Sequence, residues 1–476
     1  MDATTPATGR LYADHVKVYP QKVAGRFRRI KWAALIGLLG LYYAAPWLRW
    51  HRGPGVPDQA LLIDMPGRRA YFFFIEIWPQ EVYYLMGLLI LGAIGLFFAT
   101  SLLGRVWCGF TCPQTVWTDL FMQVERWIEG DRNKRMRLDQ GRLTVDKAWR
   151  KIAKHALWLV IAAATGGAWI FYFNDAPTTL KAIFTGQAGA AVYGFAGLFT
   201  ATTYLLAGWA REQVCIYMCP WPRFQSAMFD EDTFLVTYEA WRGEPRSHVK
   251  SKPADAKVGD CIDCGLCVRV CPTGVDIRAG QQLACIGCAL CVDACNDVMG
   301  KIGRPGNLIA YDSLANQAAR AAGRPTRFRP VRPRTIIYAG LLVVVAIAMV
   351  AVLLGRSTTD LSILPDRAPL FVTLSDGSIR NAYTVKILNK QREPQRYRLA
   401  VDGIDGARVA AIGYGSGDAQ AIELPVAGDS VGTFRVLVHA PRAALHEESN
   451  RLTFRITDIA TGRTVDHGSI FSGPEH

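Results

Sequence analysis

Cys261-Ile-Asp-Cys264-Gly-Leu-Cys267-Val-Arg-Val-Cys271-Pro272 and Cys285-Ile-Gly-Cys288-Ala-Leu-Cys291-Val-Asp-Ala-Cys295-Asn296 are two copies of one spacing, C-x2-C-x2-C-x3-C. A chain wraps two cubane [4Fe-4S] clusters with this spacing, and the fourth cysteine of each run ligates the other cluster. One cluster is therefore expected on Cys261, Cys264, Cys267 and Cys295, and the other on Cys285, Cys288, Cys291 and Cys271. A pair of structural zinc sites is the competing reading. Zinc commonly uses two separated C-x2-C pairs, so the third close cysteine and the crossed fourth favour iron–sulfur.

Outward from this cassette, the 476 residues are 50% hydrophobic, far more chain than one ferredoxin module needs. Five apolar stretches approach or exceed the roughly 20 residues that cross a bilayer: Ala33 to Leu48, Val82 to Leu103, Ala156 to Phe173, Ala188 to Trp209, and Thr335 to Leu354. The polar, basic first 31 residues carry no small-residue cleavage site, so no removable signal peptide is expected.

Orientation follows from the flanking charge, because cytoplasmic flanks carry excess Lys and Arg. Arg26, Arg28, Arg29 and Lys31 precede the first stretch, and eleven basic residues from Arg105 to Lys154 lie between the second and third. The loop between the third and fourth has only Lys181, and Arg324, Arg327, Arg329, Arg332 and Arg334 precede the fifth. The N-terminus and cluster domain are thus expected in the cytoplasm and everything after Leu354 outside. The net charge of +14 is accounted for mainly by these flanks, so a nucleic-acid partner is not expected. All twelve cysteines fall on the reducing side, and none is expected in a disulfide.

The membrane part is a repeat. Two stretches precede Cys108-Gly-Phe-Thr-Cys112-Pro113, and two more precede Cys215-Ile-Tyr-Met-Cys219-Pro220. Repeats in membrane proteins place functional sites between the units, so the two C-x3-C-P motifs are expected at one membrane face, where they could meet. Residues four apart share a helical face, and a proline disfavours helical geometry at the residue before it; a kink or helix end is expected at each motif. Thiolates favour Cu(I), zinc or iron–sulfur. For Cys108, Cys112, Cys215 and Cys219 the residues alone leave copper, structural zinc, a dithiol relay and inert packing open. Met218 could add a thioether.

His51, Glu76 and Glu81 could meet an ion from the outer side; His155 and His248 read as interfacial or solvated, and Trp107, Trp117 and Tyr71 to Trp78 as interface anchors. No C-x-x-C-H and no strand-to-helix G-x-G-x-x-G occurs, which disfavours covalent haem and a nicotinamide fold. Electrons are expected from another molecule. The tail alternates short β-type runs with turns, about seven strands by this reading, an immunoglobulin-like sandwich.

The expected architecture is a multi-domain membrane protein: an α-helical bundle of five spans, a two-cluster ferredoxin-like cytoplasmic domain and a C-terminal immunoglobulin-like β-sandwich. Its segments are residues 1–31, a cytoplasmic start; 32–230, four spans with both C-x3-C-P motifs; 231–334, the cluster domain and basic linker; 335–354, the fifth span; and 361–476, a periplasmic domain.

The chain resembles the cytochrome c oxidase accessory proteins called CcoG, FixG or RdxA along nearly its whole length. The resemblance rests on Val16-Lys-Val-Tyr-Pro20, Trp78-Pro-Gln80, Trp107 to Trp117, Cys215 to Met228, Arg242-Gly-Glu-Pro-Arg246 and the cluster cassette. It implies a bacterial inner-membrane cupric reductase with two [4Fe-4S] clusters, supplying Cu(I) for assembly of cbb3-type oxidase. Cys108, Cys112, Cys215 and Cys219 then become the copper-binding, catalytic cysteines. Implied partners are a cytoplasmic electron donor, a copper transporter or chaperone and cbb3 assembly factors, with a homodimer left open. Two alternatives stand beside it: a quinol- or flavin-linked conduit resembling NapH and NosR, and an oxidase assembly scaffold.

Overall fold

The computed structural model describes residues 17–53, 55–248, 258–357 and 359–474, with the backbone alone at 415–418. Val16 of the Val16-to-Pro20 motif and the last two residues of the expected tail lie outside them. The chain divides into two compact units, Met1–Met349 and Val350–His476.

The first unit contains helices α1 (Arg26–Ala44), α2 (Tyr83–Leu103), α3 (Pro113–Glu129), α4 (Arg132–Gln140), α5 (Val145–Ile170), α6 (Ala176–Phe184), α7 (Ala190–Thr203) and α8 (Trp221–Ala227). After these come α9 (Ala240–Gly243), α10 (Leu266–Arg269), α11 (Leu290–Lys301), α12 (Leu314–Ala321) and α13 (Pro333–Leu354), which continues past the unit boundary at Met349. Helices α1, α2, α5, α7 and α13 occupy the five expected positions. By length and composition three helical stretches among the described residues can cross a membrane: Pro79–Leu103, Ala190–Ala210 and Pro333–Leu354. In α1 and α5 the first turns are basic, and part of that charge is folded into the protein: Arg28, Lys31 and Lys154 are buried, while Arg26 and Arg29 are exposed.

Between α1 and α2 stands a sheet that the alternation did not announce, β1 (Leu61–Asp64), β2 (Arg69–Phe72) and β3 (Ile75–Ile77), paired antiparallel in that order. It changes the reading of the aromatic stretch. Tyr71 and Trp78 are buried, the latter stacked under the Arg69 guanidinium, so they are core residues of this small domain. Glu76 pairs with Arg69 at 3.0 Å, and the Glu81 carboxylate accepts from the Trp78 amide at 3.1 Å. Two of the three candidate ion-meeting residues therefore have structural partners.

The cluster segment is tied by strands β4 (Leu235–Tyr238) and β5 (Ile309–Asp312), which pair antiparallel and bracket the cysteine runs. Among the described residues the second unit has ten strands, three more than expected: β6 (Thr359–Pro365), β7 (Val372–Thr373), β8 (Ile379–Asn389), β9 (Gln395–Asp402), β10 (Arg408–Ala411), β11 (Tyr414–Ala419), β12 (Ala421–Val426), β13 (Ser430–Ala440), β14 (Ser449–Asp458) and β15 (Thr464–Ser472). One sheet runs β11-β10-β13-β8-β6 with β7 on β8, and the other β12-β9-β14-β15. Both face one core in which Val385 and Val436 of the first meet Leu399 and Phe454 of the second. This is the expected sandwich. The excess comes from short strands such as the two-residue β7, too brief for alternation to show.

Candidate electron-transfer site

Both C-x3-C-P motifs fold the same way. Each forms one π-helical turn, Trp107–Thr111 and Val214–Met218, closed by an amide five residues on: Cys112 N to Trp107 O and Cys219 N to Val214 O, both 2.8 Å. Such turns inside helical segments recur at functional sites. The cysteine before each proline then leaves helical space, Cys112 at ψ 127° and Cys219 at ψ 120°, as the steric demand of the next ring requires. The expected helix end is present, but the turn is wider than the α-turn assumed for two thiols on one face. The repeat extends to the residue four before each first cysteine: Gly104 has φ 58° and Arg211 φ 43°. A non-glycine residue is rarely left-handed. Arg211 is held there by its own Nε on Gly208 O and by the Glu125 carboxylate.

The two turns converge. Cys108 lies within electrostatic reach of Cys112, Cys215 and Cys219, and Cys108 and Cys215 share one buried cluster with Ile286, Cys288 and Leu290 of the second cysteine run. The approach is closest at Gly109. A Cβ there would stand 2.9 Å from Gly287 O and 3.0 Å from Cys288 N, so the missing side chain lets the two backbones touch. Arg105 fastens the same contact. Its Nη1 donates to Leu283 O at 2.5 Å and Cys285 O at 2.6 Å, and its Nη2 to Pro222 O at 3.0 Å. The Cys108 thiol donates to Gln225 Oε1 at 3.2 Å. Burial pushes the thiols of Cys108 and Cys215 up to about 12, so both stay protonated at neutral pH until a cation replaces the proton.

In the cassette, Cys261, Cys264, Cys267 and Cys295 line one small cavity between Tyr238, Met299 and Leu308. Cys285, Cys288 and Cys291 lie within electrostatic reach of Cys271. The cavity joins Cys295 to the first run, and Cys291 is within reach of Cys267 as well as Cys271. Burial raises Cys267 to about 11 and Cys288 and Cys295 to about 12, and pushes Cys285 and Cys291 up as well. Thiolates in such surroundings need positive charge brought with the group they bind. A cubane core supplies it, so the donor set fits that cofactor. Among the described residues no three His, Cys, Asp or Glu side chains close around a single ion. A cubane carries its thiolates on outer corners, wider apart than a single ion's ligands.

Sequence reasoning missed the ionic frame beneath the motifs. Glu125 of α3, 1% exposed, pairs with Arg135 at 2.9 Å and with Arg211. Glu129 takes Lys151 at 2.8 Å and Lys154 at 3.1 Å, and Asp119 takes both bonds of Arg28 Nη1 at 2.9 Å. The signal was available: Asp119, Met122, Glu125 and Glu129 recur at the spacing of one helical face. His155, read as interfacial, bonds Tyr204 Oη at 2.9 Å and stacks on Trp209. Trp117 donates to Thr165 Oγ1 at 3.0 Å inside the bundle; Trp107 is 40% exposed. His51 and His248 are exposed.

Residues 210–314 match the family described as a 4Fe-4S dicluster domain, residues 85–135 a 4Fe-4S binding domain, and residues 349–474 the IG-like fold at the C-terminal of FixG. Fold, cysteine grouping and these matches define a membrane-associated iron–sulfur protein of the oxidoreductase class. Protein RdxB of Cereibacter sphaeroides is 49% identical over 479 residues, covering 99% of each chain. Nitrogen fixation protein FixG of Rhizobium meliloti is 48% identical over 467 residues, covering 92% of this chain and 89% of its own. The chain belongs to the FixG, RdxA and RdxB family. A crystal structure of a FixG-related protein from Vibrio parahaemolyticus is also similar, at 25% identity over 25% of this chain and 97% of that one, with a TM-score of 0.21.

Proposed function

We propose that this protein reduces Cu(II) to Cu(I) at the paired C-x3-C-P turns and supplies the product for assembly of a cbb3-type oxidase. The observation that supports the reading is the approach of Gly109 to Gly287 and Cys288, the first C-x3-C-P turn against the second cysteine run. Cys261, Cys264, Cys267 and Cys295 hold one cluster, and Cys285, Cys288, Cys291 and Cys271 the other. Bound there, the clusters supply one-electron transfer over a wide range of potentials.

Copper is the substrate. One Cu(II) takes one electron and becomes Cu(I), the ion that thiolates hold best. Cys108 and Cys112, and Cys215 and Cys219, serve as thiolate pairs, each thiol losing its proton as the ion binds. Reduction and capture then reinforce each other. The basic flanks orient the motifs and cassette to the cytoplasm, with the tail domain in the periplasm. A cytoplasmic donor delivers electrons, and a copper transporter or chaperone takes the product.

The test is anaerobic mixing of cluster-reduced protein with Cu(II), following cluster absorbance and a Cu(I)-specific chelator together. Matched traces, lost when Cys108, Cys112, Cys215 and Cys219 become serine while both clusters remain, are expected. Clusters that stay reduced in the presence of Cu(II) would remove the copper reading. A second reading has its own observation: an apolar cavity beside Pro113, lined by Tyr42, Gln114, Trp117 and Thr165, suits a quinone ring. Cluster reduction by a quinol analogue without any copper response would favour it.

A further inference from the structure

The two cysteine sets differ in how their neighbouring cations are compensated. Beside the first set, Arg278 lies within electrostatic reach of Cys267. Its guanidinium is already engaged by Asp276 at 2.7 Å and Asp263 at 2.6 Å, so two carboxylates cancel its charge. Beside the second set stand Arg105, whose bonds among the described residues go to the carbonyls of Leu283, Cys285 and Pro222, and Lys31.

Lys31 is the unusual one. It is 2% exposed, and its Nζ is buried with no hydrogen-bond partner among the described residues. An ammonium in that state is costly unless a negative group comes to it. Helix α1 fixes where it lies. The amides of Phe27 and Arg28 donate to the Asp293 carboxylate of α11 at 3.1 and 2.7 Å, and Arg28 reaches Asp119. One turn on, Lys31 is within electrostatic reach of Cys288 of the cassette and Cys215 of the second C-x3-C-P turn. The one carboxylate it faces, Asp119, is held ionised by Lys31, Arg28 and Arg126 together and accepts its hydrogen bonds from Arg28, so a single negative charge serves three cations.

We propose that Lys31 is a positioning residue that raises the reduction potential of the cluster on Cys285, Cys288, Cys291 and Cys271, making that cluster the exit toward Cys215. The proposal rests on the cysteine assignment above and is independent of copper. Adding an electron adds negative charge beside an ammonium that shares its one carboxylate with two arginines, which favours the reduced state of this cluster over the other. The first set, with Arg278 neutralised, stays lower. Electrons then run downhill toward the C-x3-C-P turns.

The experiment is a mediated potentiometric titration of the purified, cluster-loaded full chain, followed by electron paramagnetic resonance, without copper. Wild-type protein should show two reduction waves. Lys31→Met should lower only the higher one, by at least about tenfold in the one-electron equilibrium, about 59 mV. Lys31→Arg, which keeps the charge, should restore it. Iron and sulfide analysis accompanies each variant; if Lys31→Met loses its clusters, Lys31→Gln takes its place in the comparison with Lys31→Arg. An unmoved upper wave, two waves that move together, or a Lys31→Arg that behaves like the uncharged variants would overturn the proposal. Cluster loss from all three variants would make Lys31 a packing residue and overturn it as well. A wild-type protein with both clusters loaded and a single wave would overturn the proposal, whereas iron and sulfide short of two clusters would strike the cluster assignment itself.

Discussion

Gly109 and Cys288, 179 positions apart in the chain (288 minus 109), stand backbone to backbone: a Cβ on Gly109 would lie 3.0 Å from the Cys288 amide nitrogen. The membrane motif and the cluster loop are joined there without a side chain between them. Short separation is what an electron path needs, and it leaves the join intolerant of added volume.

Gly109→Ala is therefore expected to push the two loops apart. All three nearest atoms are backbone, so no flexible side chain can yield, and overpacking of this kind costs about 1–3 kcal/mol. Thermal unfolding in detergent should show the loss, together with slower electron delivery to the C-x3-C-P turns. Gly167→Ala in α5, whose Cβ would meet nothing within 4 Å, should be neutral or slightly stabilising. Equal behaviour of the two variants would dissolve the argument.

Glu125→Gln should be the most damaging single change in the ionic frame. It strands Arg135 and Arg211, both buried, and removing one partner of a buried pair costs about 3–5 kcal/mol. Because Arg211 keeps its left-handed backbone through that carboxylate and Gly208, the loss should spread to the turn carrying Cys215. Reactivity of Cys215 toward a thiol reagent, measured in the variant and wild type, reads this directly. An unchanged rate would disconnect the frame from the motif.

How far the sequence carried can be judged from the same residues. Cysteine spacing and the pre-proline rule are local, so the 4Fe-4S dicluster domain and the extended Cys112 and Cys219 were legible. The meeting of Gly109 with Cys288 depends on tertiary packing between segments far apart in the chain. Charge was legible in number but not in role. Arg28, Arg105, Arg135 and Lys154 counted as flank charges, yet each is buried and bonded or paired. The strands β1 to β3 were missed because three- and four-residue strands give alternation too little length to register.

Residues 17–22 form a strap whose pH response has a defined sign. Asp139 of α4 accepts from Lys17 Nζ and Tyr19 Oη, each at 2.7 Å, and from Lys151 Nζ at 2.5 Å. Burial works to raise its pKa, but these donors win and hold it below the ordinary 3.8. A depressed carboxyl stabilises above its unfolded value and loses that contribution only as pH falls through the folded one. Hydrogen exchange of residues 17–22 should thus be equally protected at neutral pH and at about pH 5. Asp139→Asn should lose protection at both. A wild-type strap that loosens over this interval would contradict the assignment.

Arg105 gives the sharpest separation between charge and geometry. Its planar fork reaches three carbonyls on two segments: Leu283 and Cys285 beside the second cluster motif, and Pro222 just past the second C-x3-C-P turn. Each bond from a charged donor contributes about 1.5–3 kcal/mol. Lysine retains the charge and cannot reproduce a fork of that reach. Arg105→Lys should therefore leave the carbonyls of the Leu283-to-Cys285 turn partly unpaired and speed iron loss from one of the two clusters, with Arg105→Ala faster still. The measurement is iron release to a ferrous chelator, followed by the decay of cluster absorbance in two phases. Only the phase belonging to the Cys285 set should accelerate, because Arg278 and its two carboxylates hold the other set independently. Acceleration of both phases alike would mean that Arg105 stabilises the fold as a whole instead of this one turn.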